Sequence, residues 1–337
     1  MKTAKKISFF LLGFIIVFTV VFYFWGSASK HDVNEYDEVI VVKSENLSAH
    51  NDTLSLLTYN LGYLSGMTNN QPVERTKELF AGNLEKAIKL ISGFNPDFIG
   101  FQEIDFKAKR SYDVNQLKEI ASADGYNYAA MAVNWDKNYV PFPYGWPNVH
   151  FGQIYSGQAI LSKFPILSNT LKVLRKPESH PFYYSAFYLD RIAQIDKVDI
   201  NGKEVVLINV HLEAFDVTTR EKQAETLIKI YRQYAKDYPV LLFGDFNSTP
   251  PNATQPYAVE ETMKIIFSEP GIKAAILDSM YYAYESKYFT FDSRNPEMRI
   301  DYIFYNSNKI KAIEARVIKE AGEISDHIPV YMRFVLK

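Results

Sequence analysis

Leu241-Leu242-Phe243-Gly244-Asp245-Phe246-Asn247 sets a carboxylate and an amide two residues apart at the end of an apolar run. In extended chain, residues two apart face the same side. An acceptor-only carboxylate beside an amide can align a water and a phosphate oxygen. The plainer alternative is an Asx turn closing the strand, helped by Ser248, Thr249, Pro250 and Pro251. Gly244 would let the chain bend or approach a neighbour closely. Ser325-Asp326-His327-Ile328-Pro329-Val330 offers an Asp-His pair just before another apolar run. A histidine can donate to a phosphoryl oxygen, and a carboxylate on its other nitrogen fixes its tautomer. Neighbouring strand residues point apart, so Asp301, in Arg299-Ile300-Asp301-Tyr302, is a better partner for His327 than Asp326. Phe98-Ile99-Gly100-Phe101-Gln102-Glu103 ends in a carboxylate, and Ile208-Asn209-Val210-His211 ends in a second histidine. Taken singly, Glu103 reads more readily as a solvated strand end and His211 as a structural side chain. A hard cation such as Mg²⁺ needs only one or two protein carboxylates beside water and phosphate oxygens.

These residues require strands that end together. Runs at 54–60, 97–103, 156–162, 191–200, 204–212, 240–243, 299–305 and 330–336 read as strands. Helical spacing marks 74–92, 114–123 and 219–234, with Gly93, Asn95 and Pro96 stopping the first. Asn201-Gly202 predicts a hairpin turn. Strands alternate with helices in places and follow one another directly in others, which predicts two packed mixed sheets with helices outside.

Residues 1–6 are basic, and 7–26 are apolar, broken chiefly by Ser8, Gly13 and Thr19. At about 1.5 Å per residue the apolar run nearly matches the bilayer core. Lys2, Lys5 and Lys6 precede it, so the positive-inside rule puts the remainder outside the cytoplasm, as a single-pass anchored protein. The rival is a signal peptide cleaved near Gly26-Ser27-Ala28, which gives a secreted protein. Residues 27–52 read as a linker and 53–337 as one domain. The 337-residue chain carries a net charge of −2, and the three leader lysines leave the rest at about −5. That balance disfavours non-specific binding to a nucleic-acid backbone, though it does not exclude a local basic patch. With no cysteine, disulfides, thiolate zinc sites and a cysteine nucleophile are excluded.

Tyr59-Asn60, Gln102-Glu103, Asn209-Val210-His211, Gly244-Asp245-Phe246-Asn247, Arg299-Ile300-Asp301-Tyr302-Ile303 and Ser325-Asp326-His327 occur in the order found in the endonuclease/exonuclease/phosphatase superfamily. The resemblance covers about residues 53–337. It implies an α/β protein with a four-layer α/β/β/α sandwich and hydrolysis of a phosphoric ester with Mg²⁺, or Mn²⁺ in its place. Glu103 then resembles the principal metal ligand, with Asn60 close to metal or phosphate and Asp326 a metal-site acid. Asp245 resembles the residue that orients or deprotonates water, helped by Asn247. His327, paired with Asp301, resembles the histidine that stabilises the pentacoordinate phosphorus, and His211 a second phosphate-binding histidine.

The catalytic core does not fix the substrate, so loops must. Residues 126–158 read as an aromatic loop and 181–188 as a second aromatic run; the chain holds 24 Tyr and 24 Phe. These rings can pack on the sandwich, stack bases or sugars, or dip into a membrane interface. The reading favoured is a lipid-linked or small phosphodiester. The alternative is a tethered or secreted nuclease acting on DNA or RNA, and a third is a catalytically inactive binding module.

Overall fold

A computed structural model describes residues 2–43, 52–254, 256 and 258–337. The apolar leader forms one continuous helix, α1 (Lys2–Ser27). It is long and apolar enough to be a membrane span or a signal sequence, and it is exposed along its length except near its C-terminal end, as at Phe22, Tyr23 and Gly26. A short strand β1 (Val39–Val41) follows. It pairs antiparallel with residues 128–130, so this part of the segment read as a linker adds an edge to a sheet; residues 44–51 lie outside the described residues.

β2 (Leu54–Asn60), α2 (Lys77–Phe94) and β3 (Phe98–Asp105) form a βαβ crossover, and β2 pairs parallel with β3. Thr76 caps α2 by accepting from the Leu79 N–H. The helix runs through Gly93 and stops at Asn95, which takes the left-handed conformation (φ 44°) that asparagine tolerates before Pro96. After α3 (Gln116–Asp124) come β4 (Tyr128–Val140) and β5 (Gly152–Ser162). The 126–158 stretch is therefore not a loop. It is a long antiparallel hairpin whose connection is only residues 141–151.

β6 (Ile166–Val173), α4 (Phe182–Ser185), β7 (Ile192–Ile200) and β8 (Lys203–His211) follow, with the expected turn at Asn201-Gly202. α5 (Val217–Ala235) crosses over to β9 (Val240–Asp245), which pairs parallel with β8. The chain finishes with α6 (Thr262–Phe267), β10 (Ile272–Ala274), α7 (Asp278–Ala283), β11 (Asp301–Asn306), β12 (Ile310–Val317) and β13 (Val330–Leu336).

The strands form a seven-stranded sheet, β1-β4-β5-β3-β2-β13-β12, and a six-stranded sheet, β10-β11-β9-β8-β7-β6. Between them lies a core that includes Leu56, Phe98, Ile160, Leu207, Phe243 and Met332. α2 and α3 cover the outer face of the first sheet, α5 and α6 that of the second. This is the four-layer α/β/β/α sandwich expected. Gly100 allows the sheets to meet, because a Cβ there would collide with the Phe243 ring. A buried amide seam also ties the sheets together. Gln102 donates to Asn209 Oδ1 (2.6 Å), Asn209 donates to Gln194 Oε1 (3.2 Å), and Gln158 donates to the Asn209 carbonyl (2.9 Å). Gln102 immediately precedes Glu103, and Asn209 stands two residues before His211, so the seam fixes the strands that bear both.

Candidate active site

Each sheet has a central parallel pair, and both pairs end on the same side of the sandwich. β2 ends in Asn60 and β3 carries Glu103; β8 ends in His211 and β9 in Asp245. The antiparallel neighbours start there: Asp301 opens β11 opposite Asp245, and His327 lies just ahead of β13. The topology thus brings all eight candidate residues to one end.

Local backbone aims them. The β3–β5 ladder slips between Phe101 and Ile104, and in that bulge Glu103 has φ 50°. A glutamate in the left-handed region is strained by about 1–2 kcal/mol, which the surrounding ladder holds in place so that the carboxylate turns into the cleft. Gly244 has φ 135°, and a Cβ there would strike the Val210 carbonyl. Asn247 is not extended from Asp245 as strand alternation predicts. Its φ is 49°, and its N–H donates to Asp245 Oδ1 (2.8 Å). The Asx turn and the shared site, read as alternatives, are one and the same structure.

Asp245 Oδ2 is the hub. Asn60 Nδ2 donates to it at 3.0 Å and Asn247 Nδ2 at 3.4 Å, while His211 Nε2 lies 3.4 Å away and His327 Nε2 3.7 Å away. Asn60 Nδ2 also reaches Glu103 Oε1 (3.4 Å), and Asn60 Oδ1 accepts from the Gly62 N–H (3.0 Å). His327 Nδ1 sits 3.0 Å from Asp301 Oδ2, so Asp301 and not Asp326 orients this ring. Asp326 turns the other way, toward Ser325 Oγ (3.2 Å) and Asn69 Nδ2 (3.3 Å to Oδ2). Asn69 Nδ2 donates to Glu103 Oε2 as well (2.9 Å). The sequence reading missed Asn69. Its only signal is a polar loop after β2.

Burial sets the charge states. It pushes the Asp245 carboxyl up to about 7; Asp301 adds to this, and His327, Asn247 and Asn60 oppose it. Burial would lower His327, but the carboxylates of Asp301 and Asp245 outweigh it and hold the ring protonated. Burial lowers His211 well below its ordinary value, helped by the Arg191 and His327 charges, so that ring is neutral. Burial raises Asp326 to about 6, opposed by His327 and reinforced by Glu103.

Among the described residues, two groupings could hold a cation. Asp245, Asp301 and His327 present ligand atoms within 4.8 Å of one another. His327 is a poor ligand there, because Nδ1 is occupied by Asp301 and the ring is protonated. Glu103 and Asp326 are only half-buried, and both lean on the single amide of Asn69. This all-oxygen pair, with Asp326 pushed up partly by its neighbour, is the chemistry a hard divalent ion relieves.

A model of the endonuclease/exonuclease/phosphatase family matches residues 57–327. The chain belongs to this family of metal-dependent phosphoester hydrolases and nucleases, and it is such an enzyme. No curated protein sequence matches it. Similar solved structures include an endonuclease/exonuclease/phosphatase from Beutenbergia cavernae, at 19% identity, 84% of this chain, 72% of that chain and TM-score 0.62. A mannosyl-6-phosphatase from Bacteroides thetaiotaomicron has 19% identity over 84% of this chain and 99% of its own, with TM-score 0.54. The human Nocturnin catalytic domain with bound sulfate has 15% identity over 89% and 98%, with TM-score 0.57. At these identities the likeness concerns the fold.

Proposed function

We propose that the protein is a Mg²⁺-dependent phosphodiesterase held outside the cytoplasm by α1, on the side opposite Lys2, Lys5 and Lys6. The observation that carries this reading is the convergence of Asn60, His211, His327 and Asn247 on one oxygen of Asp245, beside the Glu103–Asp326 pair. Bound by Glu103 and Asp326, with Asn60 alongside, Mg²⁺ (or Mn²⁺) would neutralise charge on the phosphate oxygens.

The protein's own groups then divide the remaining work. Asp245, raised toward neutrality, accepts a proton from water as the water oxygen bonds to phosphorus. Asn60 and Asn247 hold that carboxylate in line. His211, neutral, donates from Nε2 to a phosphoryl oxygen. His327, kept protonated by Asp301, donates to the ester oxygen as the P–O bond breaks and the alcohol leaves. His327 Nε2 lies 3.7 Å from Asp245 Oδ2, beyond direct hydrogen-bond reach, so the proton on Asp245 returns to His327 through one bridging water, which restores the starting state.

Hydrolysis of bis-p-nitrophenyl phosphate by the full chain in detergent tests this. Release should need Mg²⁺, stop with chelator and exceed release from the monoester. Wild type indistinguishable from Asp245→Ala would sink the enzymatic reading and favour a binding module.

A further inference from the structure

β4 lies parallel to β3, through β5, so it too points toward the catalytic end. Glu103 sits at the level where Ile104 and Val133 both face Gly157. From there the hairpin continues to Val140 opposite Gly152. β4 spends seven residues on this stretch and bulges twice, while β5 spends five, so at about 3.3 Å per residue the hairpin runs roughly 17 Å past Glu103.

The end of α1 docks on this overhang. Lys137 Nζ donates to the Ser27 carbonyl (2.9 Å) and Asn138 Nδ2 to that of Trp25 (3.0 Å). The Phe22 and Trp25 rings pack on Tyr139 with centroids 5.8 and 6.2 Å apart. The apolar helix therefore meets the domain on its catalytic side.

Three separate connections at that same end carry bare aromatics. Tyr144 and Trp146 lie between β4 and β5, Phe182 and Tyr183 between β6 and β7, and Phe215 just after β8, each 58–82% exposed. The opposite end is charged, with Lys203, Glu204, Asp237, Lys309 and Lys337 lining a cleft. Exposed Trp, Tyr and Phe gathered on one side of a soluble domain mark an interaction surface. Trp and Tyr favour the bilayer–water interface.

We propose that these five side chains dock onto the bilayer holding α1, so that the catalytic mouth faces the headgroup layer and the substrate is a lipid phosphodiester drawn from it. The occupant follows from continuity: the helix that would lie in the bilayer meets the domain at the edge of the aromatic rim. The substrate half of the proposal rests on the phosphodiesterase reading above; the docking half does not.

The test uses the full chain in phosphatidylcholine nanodiscs with lipids brominated near the headgroup. The protein has three tryptophans, and the emission lost in Trp146→Phe isolates Trp146. Brominated lipid should quench that component. A triple variant, Trp146→Ser with Phe182→Ser and Phe215→Ser, should lose several-fold activity on a phosphodiester lipid in the disc and keep its rate on bis-p-nitrophenyl phosphate. Trp146 emission indifferent to bromine, or quenched by a single-stranded oligonucleotide instead, overturns docking. Equal losses on both esters overturn the lipid assignment. A wild type inert on both esters defeats the phosphodiesterase reading, while quenching still decides docking.

Discussion

The two sheets reach the candidate site by the same route and bring different groups to it. In each, a βαβ crossover gives a parallel pair, and an antiparallel strand beside it starts where the pair ends. The seven-stranded sheet brings Asn60, Glu103 and Asp326, with Asn69 from its first loop, and leaves both carboxylates partly exposed, although burial still raises Asp326. The six-stranded sheet brings His211, Asp245, Asn247 and Asp301, all buried, with titration displaced by that burial at His211 and Asp245. His327 starts from the first sheet and is claimed by the second through Asp301. Similar topology thus places groups; burial decides what they do. The open half suits a hydrated cation, the closed half proton transfer and contact with phosphate.

If this division holds, substitutions in the two halves fail differently. Asp245→Asn should lower turnover by about 10²–10⁴-fold, the usual worth of a positioned acid or base, with the Mg²⁺ concentration for half-maximal rate unchanged. Glu103→Gln should raise that Mg²⁺ concentration by at least the roughly 10–100-fold that losing a hydrogen-bond partner of a metal ligand costs, with much of the turnover recovered at high Mg²⁺. Steady-state rates across a Mg²⁺ titration separate them. An Asp245→Asn shift in Mg²⁺ requirement as large as that of Glu103→Gln would erase the distinction.

Asn209 belongs to neither half but to the seam that aligns them. Its side-chain amide donates to the Phe101 carbonyl (3.0 Å) and to Gln194, and its Oδ1 accepts from Gln102. Asn209→Ala leaves those buried partners unsatisfied, which costs about 1–3 kcal/mol. Thermal unfolding should show the loss, and turnover and Mg²⁺ requirement should worsen together. A change in only one of the two would mean that the seam supports one half alone.

Much of this was legible in the sequence, and the exceptions have physical reasons. Asp245, Asn247 and His211 could be read at the ends of apolar runs and His327 just ahead of one, and their order along the chain, that of the family, is what joined them into one site. The Asp301–His327 pairing followed from strand alternation. Asn247 met Asp245 by a turn and not by alternation, because Asn accepts the left-handed conformation. Glu103 gave no hint of its φ of 50°, since nothing about a glutamate announces a bulge. Asn69 reaches Glu103 from a loop that turns left-handed repeatedly, at Gly62, Tyr63, Leu64 and Gly66, which no local pattern in the sequence announced. β4 hid in a stretch where buried Asn134, Trp135 and Asp136 break the expected apolar alternation. β1 lies in an otherwise polar segment, but its Val39-Ile40-Val41 run is apolar and β-branched, a strand signal short enough to be passed over, and it pairs with the open edge of β4.

Asp196 gives the comparison a control, a buried carboxylate in the six-stranded sheet away from the site. It lies on β7 opposite Leu207 and Asn169, is fully buried, and no hydrogen bond of normal geometry reaches either oxygen. Burial pushes its carboxyl well above the usual range, and Gln194 only partly offsets this. In the unfolded chain the group ionises near pH ~3.9. The folded protein keeps the proton to higher pH, so between those values it binds more protons than the unfolded chain. Its contribution to stability is fully present below the unfolded value and is lost as pH rises through the folded one. A side-chain amide at this position would not titrate. Asp196→Asn should therefore match wild type near pH 4 and gain steadily above it, reaching about 1 kcal/mol or more by pH 8. Melting temperatures from pH 4 to 8 measure the difference, with hydrolysis of the soluble ester unchanged. A variant no more stable than wild type at any pH would show that burial alone does not raise a carboxyl in this sheet. The elevation of Asp245 would then have to come from Asp301, and the closed half would owe its chemistry to paired charge.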